Sequence, residues 1–255
     1  MKTIELDLFL KNLLRPETFD DYCPNGLQIE GRDEIKKIAF AVSATRESAE
    51  QAALAKADAL IVHHGVFWKF HGTKTLTGPF AKRVFPLIKN EINLFAYHLP
   101  LDGHPEIGNA ASVAKLIGLN TLSSFGIYKG ASTGIMGEFS KPIPALEVKK
   151  LLEEKLGHSI LYSNPPETKG SIKSVGIITG GAKSEWRDAL KLGLDAYITG
   201  EMSEHDYHES RESGIHMFAG GHHATEKFGI ISLMNHIKKE FPILECQFLD
   251  SENPA

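Results

Sequence analysis

Residues 57–64, Ala-Asp-Ala-Leu-Ile-Val-His-His, combine a short apolar run with two histidines at its end. An apolar run of this length is typical of a strand buried on both faces. A matching stretch occurs at residues 194–201, Leu-Asp-Ala-Tyr-Ile-Thr-Gly-Glu, which ends in a glutamate. Because strands that end in titratable groups recur, the sequence predicts a duplicated fold with chemistry at its strand ends.

The duplication extends outward from these two stretches. Residues 37–42 correspond without a gap to residues 174–179, and both are short apolar runs. Residues 93–96 correspond to residues 216–219. Helical periodicity separates the predicted strands, which indicates an α/β fold. We therefore expect two similar α/β lobes, with helices layered on mostly parallel or mixed sheets and a metal cleft between the lobes.

The lobe boundaries follow from the repeat. We expect the first lobe over residues 1–125 and the second over residues 126–255, and residues 241–255 could join the first lobe's sheet as a strand. Residues 121–144 are rich in Gly, Ser and Lys, so we interpret them as a segment that crosses between the halves. Residues 66–78 lack a clear period and are predicted to form a loop over the site.

Composition places the chain among ordinary globular proteins. Of its 255 residues, 42% are hydrophobic and 24% are charged, and the formal net charge is −4. This charge argues against a general nucleic-acid-binding surface. The two cysteines, Cys23 and Cys246, fit a reduced, cytoplasmic protein. No apolar run is long enough to span a bilayer, and residues 1–15 lack the apolar block of a signal peptide.

Potential metal ligands follow the predicted strands at equivalent places in the two copies. Two pairs, one in each copy, join a histidine to a carboxylate four residues later. In chain order, the side chains concerned are His63, His64, His98, Asp102, Glu201, His222 and Glu226. Because parallel strands present functional groups at their carboxyl ends, we expect these groups to meet in one cleft.

The stretch around His222 has a second interpretation. Residues 220–226, Gly-Gly-His-His-Ala-Thr-Glu, follow a predicted strand and precede a helix predicted over residues 228–240. The stretch also fits a helix N-terminus, with Thr225 or His223 near the cap and Glu226 favoured by the helix dipole. The other donors favour the metal interpretation.

Imidazole and carboxylate donors without thiolate suit a divalent ion such as Zn, Fe, Mn, Ni or Co. Five or more donors exceed one tetrahedral site, so they indicate two ions with a bridging carboxylate. His98, Glu201 or His223 could then orient ligands or move protons, which makes Glu201 and His98 the candidate catalytic residues. No phosphate-binding P-loop or Gly-x-Ser-x-Gly motif is present, and Gly180-Gly181 is too short for a nucleotide-binding fingerprint.

The remaining histidines are interpreted as surface or loop residues. They are His71, His104, His158, His205, His208, His216 and His236. The pair Phe67-Trp68 is either an exposed clamp over the cleft or a small satellite core, and the core is favoured.

These motifs together resemble the NIF three-like family, whose members are called GTP cyclohydrolase I type 2 homologues. The resemblance covers almost the whole chain. The matching motifs are residues 24–28 (Pro-Asn-Gly-Leu-Gln), 62–65 (Val-His-His-Gly), 98–102 (His-Leu-Pro-Leu-Asp), 198–201 (Ile-Thr-Gly-Glu) and 221–226 (Gly-His-His-Ala-Thr-Glu).

The resemblance implies a dinuclear metal centre and a ring-shaped hexamer. It assigns Glu226 as the bridging ligand. His64 and Asp102 would bind one ion, and His63 and His222 would bind the other.

Three functions remain open at this point. The first is a metal-dependent hydrolase that acts on a nucleotide-like, phosphorylated or cyclic-amide substrate. The second is a non-enzymatic, metal-containing assembly with protein partners, and the third is oxygen chemistry at a di-iron centre. The cyclohydrolase name would require recognition of a triphosphate, for which Lys69, Lys74 and Lys82 are candidates.

Overall fold

The computed structural model of the protein describes residues 1–166 and 170–255. The chain divides into two compact units. Unit 1 comprises Met1–Leu101 and Ile230–Glu252, and unit 2 comprises Asp102–Gly229 and Asn253–Ala255. The sequence-based division at residues 125 and 126 stays a prediction about where the two copies meet along the chain.

The secondary-structure elements alternate along the chain. Those up to residue 103 are α1 (Thr3–Leu14), β1 (Gly26–Ile29), β2 (Lys37–Ser43), α2 (Arg46–Leu54), β3 (Ala59–His64), α3 (Gly78–Lys89), β4 (Asn93–Ala96) and α4 (Leu99–Gly103). The later ones are α5 (Asn109–Leu116), β5 (Asn120–Tyr128), β6 (Ala131–Pro144), α6 (Ala145–Leu156), β7 (Leu161–Ser163), β8 (Ser171–Ile177), α7 (Trp186–Lys191), β9 (Ala196–Thr199), α8 (Glu204–Glu212), β10 (His216–Ala219), α9 (His222–Glu240) and β11 (Glu245–Phe248). Short 3₁₀ turns lie at Pro16–Thr18 and Lys69–His71.

Unit 1 is built on a five-stranded sheet with the order β1-β4-β3-β2-β11. Strands β4, β3, β2 and β11 run parallel, and β1 is antiparallel to β4. Leu60 and Val62 alternate along β3 and pack with Ala49 and Ala52 of α2, while the intervening Ile61 is also fully buried. Both faces of the strand are therefore covered, as its continuous apolar run predicts.

Unit 2 is built on a six-stranded sheet with the order β5-β6-β8-β9-β10-β7. Its centre, β8-β9-β10, is parallel, and the outer pairs are antiparallel. Val175 and Ile198 belong to the larger apolar cluster, which includes residues of α5 and α6. Tyr197 belongs to a second cluster with Trp186 of α7. Two mixed β-sheets, each packed against helices, thus confirm the predicted α/β fold class.

The internal duplication is confirmed by strand register. Ile38 of β2 pairs with Ala59 of β3, and the corresponding Val175 of β8 pairs with Ala196 of β9. The next pairs, Ala59 with Asn93 and Ala196 with His216, correspond in the same way. The copies share the order α-β-β-α-β-α-β, from α1 to β4 and from α6 to β10.

One partly buried contact is repeated atom for atom in the two copies. Oδ2 of Asp58 accepts hydrogen bonds from the amides of Lys36 and Lys37, at 2.8 and 2.9 Å. Oδ2 of Asp195 accepts them from the amides of residues 173 and 174, at 2.9 and 2.8 Å. Each carboxylate joins the residue before one strand to the neighbouring strand, at the start of β2 in the first copy and within β8 in the second, so it helps to set the parallel register.

Two local predictions were wrong. Residues 121–144 are not a crossing segment, because they form most of the antiparallel hairpin β5–β6. Their glycines allow close approach within the sheet; for example, a Cβ on Gly134 would lie 2.4 Å from the carbonyl oxygen of Ile177. The last long helix begins at His222 rather than at residue 228, so the histidine motif forms its first turn.

A helix must be both long and apolar to cross a bilayer. None of the helices within residues 1–166 and 170–255 meets this requirement.

Candidate metal centre

His63 and His64 are the last two residues of β3, and each ring has a fixed neighbour. His63 is fully buried, and its Nδ1 lies 3.0 Å from the carbonyl oxygen of Tyr97. Since a carbonyl only accepts, the neutral ring carries its proton on Nδ1 and its lone pair on Nε2. Nδ1 of His64 lies 3.0 Å from Oγ of Ser43, its partner residue on β2. These contacts hold both rings in orientations that suit metal ligands.

His98, just after β4, lies beside these two rings. Its ring centroid is 5.0 Å from that of His63 and 5.7 Å from that of His64. One possible ligand atom from each of the three histidines lies within 4.8 Å of the others. The carboxyl ends of β3 and β4 therefore bring three imidazoles together in unit 1, as the sequence predicts for parallel strands.

Asp21 is a member of this site that sequence reasoning missed. Its Oδ1 lies 3.0 Å from Nδ1 of His98 and accepts a hydrogen bond from the amide of Cys23, and its Oδ2 accepts one from the side chain of Asn25. Burial alone would raise the pKa of Asp21. The hydrogen bond and charge of His98, with the bonds from Cys23 and Asn25, outweigh burial and lower that pKa to about 2. Asp21 is therefore a carboxylate at neutral pH and orients His98.

The turn motif at residues 24–28 supports both histidine segments. Oδ1 of Asn25 accepts a hydrogen bond from the backbone amide of His98 at 2.8 Å. Oε1 of Gln28 accepts one from the amide of Val66 at 2.9 Å, and a Cβ on Gly65 would lie 2.3 Å from the same oxygen. The missing side chain at Gly65 thus lets Gln28 hold the chain directly after β3.

Three aromatic residues, Tyr22, Trp68 and Phe70, form an aromatic wall next to these histidines. The ring of Trp68 is 5.2 Å from that of His98 and 5.9 Å from that of His64. Tyr22 lies 5.1 Å from His98, and Phe70 stacks on Trp68 at 5.5 Å. Trp68 also packs against the apolar core of unit 1. Trp68 therefore belongs to the edge of the main core rather than to a satellite core, while Phe67, the other member of the pair, is exposed and lies 5.9 Å from Phe80.

Asp102 is buried in unit 2 with two hydrogen-bond donors on one oxygen. Its Oδ1 accepts a bond from Nδ2 of Asn109 at 2.9 Å and one from the hydroxyl of Thr179 at 3.2 Å. Asn109 is itself fixed, because its Oδ1 accepts a bond from the amide of Gly229 at 3.0 Å. A Cβ on Gly229 would lie 2.1 Å from that oxygen, so α9 approaches Asn109 closely. Asn109 therefore orients the carboxylate of Asp102, which the sequence alone did not reveal.

His222 lies between two carboxylates of unit 2. Its Nδ1 is 2.7 Å from Oε1 of Glu201, and its Nε2 is 3.3 Å from Oε1 of Glu226, one helical turn further along α9. Burial would lower the pKa of His222, but Glu226 and Glu201 outweigh it and raise that pKa to about 9. The two carboxylates thus favour a positive charge at this position.

Gly180 makes room for this cluster. The residue has φ +67°, and a Cβ there would lie 2.1 Å from Oε1 of Glu226 and 3.1 Å from Nε2 of His222. Its amide donates a hydrogen bond to the hydroxyl of Thr225 at 3.1 Å. Gly180 is therefore required by a left-handed backbone and by the close approach of Glu226, rather than by a nucleotide.

Most of the remaining histidines have structural contacts. His104 Nδ1 accepts hydrogen bonds from two backbone amides, and His236 stacks on Phe9 at 6.1 Å. The interpretation of His216 as a surface residue was wrong, since it is buried in β10 and its Nδ1 lies 2.8 Å from the hydroxyl of Tyr162. Burial lowers the pKa of His216, which favours the neutral ring. His223 is also buried, and its amide donates to the carbonyl of Ala255.

Groups of histidine, aspartate and glutamate donors in the described part of the chain could hold a metal ion. None of these groups, within residues 1–166 and 170–255, includes a cysteine. The donor chemistry therefore fits a borderline or hard divalent ion. In metal sites, neighbouring residues that do not touch the metal commonly hold the ligands in place by hydrogen bonds. The contacts of His63, His64 and Asp102 are of this kind.

The whole chain matches one known protein family. The family described as Duf34/NIF3 (NGG1p interacting factor 3) matches residues 1–254. A Haemophilus influenzae protein named "GTP cyclohydrolase 1 type 2 homolog" is 40% identical over 258 residues and is covered completely, as is this chain. An Escherichia coli protein of the same name is 38% identical over 257 residues, again with complete coverage of both.

Solved structures show the same fold. A structure titled "Structural genomics, protein ybgI, unknown function" has a TM-score of 0.90 and 39% identity, and both chains are covered completely. A Thermus thermophilus protein has a TM-score of 0.89 and 32% identity over the full length of both chains. A Methanocaldococcus jannaschii structure titled "Reduced HcgD" has a TM-score of 0.84, covers 98% of each chain and is 21% identical, which concerns the fold alone.

Proposed function

Since the chain belongs to the Duf34/NIF3 family, we propose that it is a hydrolase that uses two divalent metal ions to activate water. The observation that carries this proposal is the presence, at matched strand ends, of imidazoles and carboxylates that are already oriented by hydrogen bonds. His63 and His64 have fixed rings, and Asp102 has two donors on one oxygen. Ligands held in this way lose little conformational freedom when an ion binds.

The proposed ligands are the five that the family resemblance implies. His63, His64, Asp102, His222 and Glu226 would together hold the two ions. The close contact between His222 and Glu226 supports their binding as a unit. Zn, Fe, Mn, Ni and Co all suit this donor set.

When bound, two divalent ions would supply Lewis acidity and would make hydroxide available from water near neutral pH. The chain's own residues would orient the site and move protons. Asp21 holds His98 through Nδ1, so His98 can give or take a proton at Nε2. Glu201 contacts Nδ1 of His222 and orients that ring towards Glu226.

The substrate in this proposal is a small molecule with a hydrolysable phosphate or cyclic amide, of which nucleotides are one class. The names of the relatives from Haemophilus influenzae and Escherichia coli refer to a GTP cyclohydrolase. From these names we extend to this chain only the reaction class, which is attack by water. The proposal also includes the homohexamer that the family resemblance implies, and a cytoplasmic location, which the two free cysteines support.

A screen of hydrolysis with metal-loaded protein tests this function. Nucleoside triphosphates, phosphate esters and cyclic amides would be supplied in turn, with His63→Ala as the inactive control. We expect at least one class to be hydrolysed by the wild type and not by the variant. If the loaded protein hydrolyses no compound faster than His63→Ala does, the hydrolase proposal fails.

A non-enzymatic role is the second candidate, and the burial of the ligands favours it. His63 is 0%, Glu226 3% and Asp102 6% exposed, so a metal held by them would stabilise the fold as a structural ion does. Under this alternative, Asp102→Ala lowers the melting temperature by several degrees and no reaction depends on it. Retained stability together with lost hydrolysis would favour the enzyme.

A further inference from the structure

Two neighbouring cavities in unit 1 have no role in the metal chemistry proposed above. The smaller, of 230 Å³, is lined by Phe67, Trp68 and Lys74 among others. The larger, of 530 Å³, lies between the 3₁₀ turn Lys69–His71 and the first turns of α3. Lys74 lines both cavities, so the two lie next to each other.

Cations and hydroxyl groups, together with Pro79 and Phe80, line the larger cavity. The polar residues around it are His71, Thr73, Lys74, Thr75, Thr77 and Arg83. No aspartate or glutamate of the described chain belongs to its lining. Hydroxyl groups and cations are the donors that proteins use for oxyanions, and the guanidinium of arginine matches two oxygens of a phosphate at once.

The charges of this cavity are not neutralised by carboxylates. Among the described residues, neither Lys74 nor Arg83 forms an ion pair, and Nζ of Lys74 lies 5.0 Å from the ring centroid of Phe80. Most other arginines pair with a carboxylate; for example, Arg32 lies 3.0 Å from Asp58. In a chain with a net charge of −4, two uncompensated cations around one cavity create a local positive potential.

Lys69, in contrast, is less available to bind a ligand. It lines the smaller cavity, but its Nζ donates a hydrogen bond to the backbone carbonyl of Asp21. Lys82 lines neither cavity, although it is next to Arg83 in the chain. Of the three lysines that the sequence offered as phosphate contacts, the cavities thus select Lys74 and add Arg83.

We propose that the cavity lined by Lys74 and Arg83 is a binding site for a phosphate group. The phosphate is either free or carried by an aromatic ester, whose ring would occupy the smaller cavity against Trp68. None of the residues that line the two cavities is a proposed metal ligand, although Trp68 also lies against His64 and His98.

Calorimetric titration of the purified protein with inorganic phosphate tests this site. We expect saturable binding by the wild type, and a dissociation constant raised about tenfold or more in both Lys74→Ala and Arg83→Ala, because each removes a charge-assisted contact. Lys82→Ala is the matched control, since it removes the same charge one position from Arg83. It should bind phosphate as the wild type does.

Phenyl phosphate distinguishes the two sources of the phosphate. Tighter binding of phenyl phosphate than of phosphate, with the advantage lost in Trp68→Leu, assigns an aromatic ester; equal affinities assign free phosphate. The proposal is overturned if the wild type shows no saturable binding up to about 10 mM phosphate. It is also overturned if Lys82→Ala weakens binding as much as Arg83→Ala does, because the effect would then be one of general charge.

Discussion

The two copies of the repeat share their backbone contacts and differ in the side chains at their strand ends. In the first copy, Ser43 contacts His64 across adjacent strands. The corresponding positions in the second copy are Gly180 and Glu201. Where the first copy has a hydroxyl that orients an imidazole, the second has a glycine that leaves space for Glu226.

The shared contacts show which part of the repeat belongs to the fold. Asp58 and Asp195 accept the same pair of backbone amides, although one also pairs with Arg32 and the other with the hydroxyl of Ser174. The strands and these carboxylates set the frame in both copies. The residues that follow the strands carry the chemistry, and they can differ without altering the register.

The largest expected effect comes from filling the space at Gly180. In Gly180→Ala the new Cβ would displace the carboxylate of Glu226, so we expect metal affinity to fall by about 100-fold or more. Gly193→Ala is the matched control, since Gly193 also has a positive φ, of +71°, and a Cβ there would meet no described atom within 4 Å. Both variants introduce backbone strain of roughly 1 kcal/mol, but Gly193→Ala should keep its metal, as measured by competition with a chelator.

The shared carboxylates should respond alike in the two copies. We expect Asp58→Ala and Asp195→Ala each to lower the free energy of unfolding by about 2–3 kcal/mol, because each leaves two backbone amides without their acceptor. Denaturant titration measures both changes. A loss at one position only would show that the repeat does not use this contact equally, and Glu245→Ala, at an exposed residue, is a control that should change little.

The contacts of Asp21 are not among those that the two copies share. The stability that Asp21 contributes depends on pH. The pKa of Asp21 is lowered from 3.8 to about 2 in the folded protein. Its stabilisation, about 2 kcal/mol, is therefore complete above the unfolded pKa and is lost as the pH falls from about 4 to about 2. The destabilisation caused by Asp21→Asn should be smaller at pH 3 than at pH 7. An equal cost at both values would contradict the assignment of a buried carboxylate.

Asn109 acts in the second unit by orienting Asp102. We expect Asn109→Ala to weaken metal binding by about tenfold, since it removes a hydrogen bond of 2.9 Å from a proposed ligand. Thr179→Val removes the longer contact of 3.2 Å and should have the smaller effect. The reverse order of the two variants would mean that Asn109 serves the packing of α9 at Gly229 instead.

Sequence patterns predicted the elements whose signals are local. The apolar run at residues 37–42 lies within β2, and the apolar run and histidines of residues 57–64 form β3 from Ala59 onward. The alignment of the two copies also agrees with the register of the corresponding strand pairs in the structure. The start of α9 at His222 agrees with the alternative interpretation of residues 220–226 as a helix N-terminus. The prediction of a helix from residue 228 began too late because the first turn has no apolar periodicity.

Sequence alone could predict only those residues of the site that lie in its sequence motifs. His63, His64 and His98 meet because their strands are neighbours, which the α/β pattern implies. Asp21 could not be found, because it lies 77 residues from His98 and belongs to no regular element. Gly180 contacts Thr225, 45 residues later, and Asn109, although only seven residues from Asp102, is held by Gly229, 120 residues later. A sequence does not display such contacts.

The most direct test of the central claim is the metal content per chain of anaerobically purified protein, measured by elemental analysis beside a His222→Ala/Glu226→Ala variant. The proposed centre predicts about two ions per chain in the wild type and a clear loss in the variant. At most one ion in the wild type, or an unchanged content in the variant, would contradict a pair of ions bridged by Glu226.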